Sequence, residues 1–200
     1  EIEHLLASQT LVYKRLKTMR VTVKGLLGTG VTSKDIIMAL IEKIGASGAT
    51  GYAIEFAGPA ITDLSVEARM TICNMAVEAG ARGAFMAPDD KVLAYLQVKP
   101  RAPQGELWKQ AVQKWKELYS DEGAVFDREV ALNVNDLEPM VTWGTSPDQA
   151  APVGSHVPDP AAQPDLILRQ GMQRALDYMG LEPGMPLSDV VISHAFIGSC

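Results

Sequence analysis

The chain has 200 residues, of which 47% are hydrophobic and 21% charged, with a formal net charge of −6. That composition excludes disorder and fibrous structure and describes a globular chain long enough to bury a substantial core. No apolar run reaches the roughly 18 residues of a membrane-spanning helix, and the acidic balance argues against a dedicated nucleic-acid binder, which needs a cationic surface to neutralise phosphates. The expected partners are small molecules or proteins, with no nucleic acid and no membrane. The two cysteines, Cys73 and Cys200, are too few and too far apart for a secreted disulfide framework, so a reducing, cytoplasmic setting fits best. The chain opens inside a helical pattern and closes directly after a strand-like run, which reads as a segment of a longer protein.

Apolar positions switch between helical and strand periods along the chain. Ile2, Leu5, Leu6 and Leu11 indicate a helix, and residues 1–16 read as the end of a preceding domain. Met19, Val21 and Val23 alternate as a half-buried strand. Thr32 or Ser33 then caps a helix with the stripe Ile36, Ile37, Leu40, Ile41 and Ile44, terminated by Gly45. A strand is expected over Tyr52 to Phe56, a helix from Ser65 to about Gly80, a strand over Gly83 to Ala87 and a helix over Asp89 to Val98. From Gln104 to Tyr119, the residues Trp108, Ala111, Val112, Trp115, Leu118 and Tyr119 form a wide stripe expected of a docked helix. Val125 to Val134 reads as a strand. The alternation predicts an α/β fold, a layered α/β/α unit with a mainly parallel sheet over residues 17–134, because parallel strands need crossover connections. Residues 135–164 carry Pro139, Pro147, Pro152, Pro158 and Pro160 and read as a linker or surface loop. A helix from Asp165 to Gly180 and a strand from Val190 to Ile197 begin a second α/β unit over 165–200.

Several features offer chemistry. The glycine-rich GASGATG, Gly45 to Gly51, follows a helix and precedes a strand, the wrong end for a phosphate cradle, and no GxxxxGK[ST] pattern occurs. Lys14, Arg15, Lys17, Arg20, Lys24 and Lys34 lie in a stretch without acidic residues. With only Tyr13 to stack on a base, this reads as a solvated strand face or an inter-domain contact rather than an RNA-binding edge. His4, His156 and His194 show no metal-ligand spacing. Asn74 and Glu78 stand four residues apart and share a helical face, beside an apolar ridge of Cys73 and Val77. This is either a polar patch aimed at a ligand or a carboxylate reaching solvent. Cys73 reads as a small buried hydrophobe. Cys200 sits on a small-residue turn after a strand, where α/β folds place reactive groups, and spacing alone leaves it an incidental thiol, a nucleophile or a metal ligand.

The segments VTSKDIIMALIEKIG, GYAIEFAGPAI, DLSVEARMTICNMAVEAGARGAFMAPD, VTWGTSP and FIGSC together resemble the aconitase superfamily. EGAVFD, VTWGTSP and YMGLEPGMPL resemble its isopropylmalate dehydratase branch, specifically the large subunits, over nearly the whole chain. The resemblance implies a hydro-lyase of leucine biosynthesis that interconverts 2-isopropylmalate and 3-isopropylmalate through an unsaturated intermediate. It implies a 4Fe–4S cluster held by three cysteines, with Cys200 matching the first of them, Glu78 an active-site glutamate and Asn74 a polar neighbour of the cluster. It also implies a separate small subunit carrying a serine base. The family's other two cluster cysteines, its DSH segment and its substrate-binding arginines are absent here, so the segment alone is expected to be inactive. A homoaconitase-like dehydratase and a non-catalytic α/β binding module are the alternative readings.

Overall fold

Alternate residues of one strand organise the core. Met19, Val21 and Val23 in β1 (Lys17–Lys24) are fully buried, while the residues between them face the other way. The computed structural model describes residues 2–198. In it β1 pairs in parallel with β2 (Tyr52–Ala57) and β4 (Arg128–Asn133), and β2 pairs in parallel with β3 (Gly83–Phe85), giving the order β3-β2-β1-β4. The register sets Val21 beside Phe56 on one side and Val130 on the other, so the apolar faces of three strands coincide. Onto that face pack Ile36, Ile37, Leu40 and Ile41 of α2 (Ser33–Ile44), together with Ile72 of α4 (Val66–Met75) and Ala76 and Ala79 of the 3₁₀ turn Ala76–Ala79 that extends it. A short α3 (Pro59–Asp63) follows β2. The parallel α/β fold expected from the sequence is the one observed.

The strand order explains the placement of the connections. Two crossovers, through α2 and α4, step from β1 to β2 to β3, and right-handed crossovers in one direction stay on one face. The return from β3 to β4 reverses direction and must cross the opposite face. There Ser120 donates a hydrogen bond to the Glu55 carboxylate, and the Arg20 guanidinium lies 5.3 Å from the Phe126 ring. That connection contains α5 (Asp90–Gln97) and α6 (Glu106–Lys116). The docked helix expected between Gln104 and Tyr119 is not observed: no α6 residue is buried, and Leu107 and Leu118 are exposed. Its stripe is satisfied locally instead, because Trp108 and Trp115 are two turns apart and their rings meet edge to face at 5.6 Å.

Residues 135–164, expected as a linker or surface loop, carry an antiparallel hairpin of β5 (Met140–Thr142) and β6 (Ala150–Pro152) and a 3₁₀ turn, Pro160–Ala162. The prolines misled because they occupy positions that need no N–H. Pro139 precedes β5, Pro152 ends β6, and Pro160 opens the 3₁₀ turn. Trp143 and Val157 from this stretch build a second small core with Ala175 and Leu176 of α7 (Leu166–Met179) and Leu187. The strand expected over Val190 to Ile197 does not form. A strand needs a neighbour to take its backbone hydrogen bonds, none pairs with it among the described residues, and Val191, Phe196 and Ile197 are more than nine-tenths exposed. At the other end α1 (Ile2–Ser8) buries none of its residues.

One buried cation ties the two crossover systems together. Arg69 is 4% exposed, and its Nη2 donates to the Asp89 carboxylate at 2.6 Å and to the Thr62 carbonyl at 2.9 Å. Asp89 also caps α5 by accepting from the Val92 N–H at 3.1 Å. Burial pulls the Asp89 carboxyl upward, but the Arg69 hydrogen bond and charge and the Val92 N–H outweigh it and leave it below the ordinary aspartate value. A depressed folded value stabilises above the unfolded one and is lost as the pH falls through it. The stability advantage of the wild type over Asp89→Asn, measured by urea denaturation, is therefore expected at neutral pH and should shrink as the pH falls below about 4. A difference independent of pH would contradict this assignment.

Candidate active-site cleft

A cleft of about 360 Å³ lies between α2, the end of α4 and the chain that leaves β5. Its floor is apolar. Met38 and Ile41 come from α2, where Lys34, Met38 and Ile41 recur at helical spacing and so share one face, and Met75 comes from the end of α4. Glu78 enters from the 3₁₀ turn, and Thr142, Gly144, Thr145, Ser146 and Pro147 form the facing wall.

The position of Glu78 follows from a change of helix type. After Met75 the helix tightens to 3₁₀, which Gly80 terminates in the left-handed region at φ 86°, with its N–H donating to the Ala76 and Val77 carbonyls. Three residues per turn rotate Glu78 away from the face that an uninterrupted α-helix would share with Asn74. Glu78 lines the cleft, whereas Asn74 is exposed and outside the lining. The ridge expected of Cys73 and Val77 is likewise split, Val77 being 66% exposed while Cys73 is half-buried, with burial pushing its thiol up. The Oε2 atom of Glu78 is buried and has no hydrogen-bond partner. A carboxylate oxygen shielded from solvent without a donor is costly unless something else supplies one.

Two side chains absent from the sequence reading hold the facing wall. Asp35, 7% exposed, accepts at Oδ2 from the Thr32 N–H at 2.7 Å and the Thr32 hydroxyl at 2.8 Å, and at Oδ1 from the Met140 N–H at 2.7 Å. One carboxylate thus completes the capping box of α2 and fastens the start of β5 to it. Gln149 Oε1 accepts from the Thr145 N–H at 2.7 Å and the Ser146 N–H at 3.1 Å, closing the turn from inside. The Ser146 hydroxyl is hydrogen-bonded to Asp148. The spacing of Thr32 and Asp35 was the available signal for the first tie. The second had none, because a glutamine folded back on its own loop leaves no periodic trace.

A second cavity, of about 370 Å³, opens beyond the ends of β2 and β3 beside Arg20, Glu55, Arg69 and Asp89. Its charges are matched, Arg20 lying 3.9 Å from Glu55 and Arg69 2.6 Å from Asp89. In the first cleft, by contrast, neither Lys34 nor Glu78 takes part in any ion pair among the described residues.

The model of the aconitase family (aconitate hydratase) matches residues 1–200. The chain belongs to the aconitase family. It is 63% identical over all its 200 residues to "3-isopropylmalate dehydratase large subunit 1" of Mannheimia succiniciproducens. It is 60% identical, again over its whole length, to "3-isopropylmalate dehydratase large subunit 2" of Salmonella choleraesuis and of Salmonella typhimurium. This aconitase-family chain spans 42% of the length of each of these relatives.

An iron–sulfur cluster is held by cysteine thiolates. The described residues include one cysteine, Cys73, whose burial disfavours the thiolate, and no group of three His, Cys, Asp or Glu side chains converges among them. They do not by themselves form a holder for such a cluster, and Cys200 lies outside the described residues. No helix among the described residues is long and apolar enough to cross a membrane.

The cleft wall yields a sharp expectation. A Cβ on Gly144 would collide with the Gln149 carboxamide that holds the turn. Gly144→Ala should therefore release the Thr145 and Ser146 amides, raising their hydrogen-exchange rates by about fivefold or more, as the loss of a hydrogen bond worth about 1 kcal/mol or more implies. Unchanged exchange at both amides would show that Gln149 does not set the turn.

Proposed function

We propose that this chain is part of a hydro-lyase that interconverts 2-isopropylmalate and 3-isopropylmalate in leucine biosynthesis, acting in the cytoplasm together with a small subunit. The observation that carries the reading is the Glu78 carboxylate. It places an unpartnered, shielded oxygen in a cleft whose opposite wall is the VTWGTSP segment, Val141 to Pro147. The names of the relatives support the reaction and the division into large and small subunits. A 4Fe–4S cluster with Cys200 as one thiolate ligand and Asn74 beside it belongs to the same proposal.

Dehydration removes a hydroxyl from one carbon and a proton from its neighbour, giving a carbon–carbon double bond and water, with the carbon-bound proton passing to the serine base that the resemblance assigns to the small subunit. Glu78 acts at the oxygen. Its carboxyl gives a proton to the departing hydroxyl, which leaves as water, and in the return direction its carboxylate takes a proton from the incoming water. An acceptor without a competing protein donor is suited to this, since its hydrogen bond is reserved for the reacting oxygen and strengthens as charge develops there. The apolar floor of Met38, Ile41 and Met75 limits access of bulk water to that oxygen.

In the complete enzyme with its small subunit, Glu78→Gln preserves shape but cannot exchange a proton, and kcat is expected to fall by roughly 100-fold or more, with iron content unchanged. Asn74→Ala should lower activity and cluster retention together. Near-full turnover by Glu78→Gln with a normal iron count would make Glu78 a bystander and end this reading of the cleft.

A further inference from the structure

The cleft contains a second charge that the dehydration step does not use. Lys34 stands on the second residue of α2, exposed, without an ion pair or hydrogen bond among the described residues. Its face of α2 continues through Met38 to Ile41, about 10 Å along the axis at 1.5 Å per residue. The cleft is thus polarised, with a cation at the start of α2 and the buried, unpartnered carboxylate oxygen of Glu78 entering from the end of α4. Apolar side chains lie on the floor, and the Thr142, Thr145 and Ser146 residues stand along the wall. Its volume of about 360 Å³ falls in the range of small-molecule sites.

We infer that Lys34 is a substrate-binding residue that receives a carboxylate of the hydroxy acid while Glu78 meets its hydroxyl. This rests on the reading of the cleft given under the proposed function and adds to it the group that orients the substrate. Three features support the assignment. Lys34 is the one cation in the lining among the described residues, and it faces the cleft without a protein anion to neutralise it. Position on the first turn of a twelve-residue helix adds the positive end of the helix dipole to the lysine charge. Between the two charges the floor of Met38, Ile41 and Met75 offers an apolar surface against which a branched alkyl group can lie, so the lining meets one carboxylate, the hydroxyl and the alkyl group of such a substrate. Asp35, the nearest carboxylate in sequence, does not neutralise Lys34, because both of its oxygens are committed to Thr32 and Met140.

The test uses the complete large subunit with its small subunit, in Lys34→Met and Lys34→Arg forms. For 2-isopropylmalate, Lys34→Met is expected to raise KM by about 10- to 100-fold, the worth of one charge-assisted hydrogen bond, while kcat falls by much less than KM rises. Lys34→Arg should recover most of the affinity. Calorimetric titration of the same proteins without the cluster gives a readout separate from turnover. Lys34→Met should weaken 2-isopropylmalate binding by a similar factor, yet bind the analogue with that carboxylate changed to an amide as well as the wild type does. If Glu78→Gln proves fully active, the dehydration reading fails but the binding comparison still decides the role of Lys34. Unchanged KM and binding in Lys34→Met would overturn the inference. Loss of kcat and KM together, without rescue by arginine, would also overturn it by showing a structural role.

Discussion

Asp35 joins two parts of the chain that lie more than a hundred residues apart. At one oxygen it accepts from the backbone and hydroxyl of Thr32, fixing the start of α2, and at the other it accepts from the Met140 N–H, fixing the start of β5. Buried hydrogen bonds to a carboxylate are stronger than neutral ones and costly to leave unmade, so the hairpin is held where Asp35 puts it. Because α2 is pressed onto the sheet by Ile36, Ile37, Leu40 and Ile41, the hairpin inherits the position of the main core. That tie, added to the packing of the hairpin against α2, fixes the wall from Thr142 to Pro147 relative to Glu78.

The other wall depends on the sheet. The order β3-β2-β1-β4 puts α2 and α4 side by side on one face, and α4 delivers its last turn toward the start of β3. The Ala49 N–H bonds to the Ala79 carbonyl at 2.8 Å, anchoring the 3₁₀ turn to the entrance of β2. Tightening that turn sets the direction in which Glu78 projects. The cleft is therefore a product of packing at both ends, with one polar clamp and one helix irregularity setting its width and its chemistry. The Arg69 cluster beyond the strand ends is a different kind of polar site, since each of its charges has a partner and the cluster holds the fold together.

Much of the fold was legible because its signals are local. The period-two pattern of Met19, Val21 and Val23 and the period-3.6 stripe of α2 each reflect burial on one face, and both elements form where those patterns lie. Tertiary features were not legible. The prolines mask the hairpin of β5 and β6, because Pro139, Pro152 and Pro160 sit where a missing N–H costs nothing. The α6 stripe has the pattern of a docked face, although Trp108 and Trp115 pair with each other. An apolar run such as Val190 to Ile197 has strand propensity, but a ladder is made by two segments and one sequence window shows only one of them. At the site, spacing picked out Glu78 but joined it to Asn74 by assuming a uniform α-helix. Asp35 was visible only as the fourth residue of a capping box, with nothing to show that its second oxygen reaches Met140.

Asp35 is the clamp that positions the cleft wall, and amide hydrogen exchange in Asp35→Ala and Asp35→Asn measures it directly. Exchange of the Met140 N–H is expected to accelerate by about tenfold or more in the alanine variant, following the loss of a buried hydrogen bond to a charged group. The Thr145 and Ser146 amides should follow, the core amides of β1 should stay protected, and asparagine should fall between. Exchange at Met140, Thr145 and Ser146 that matches the wild type in Asp35→Ala would show that the hairpin holds its place without the clamp, and would contradict the account.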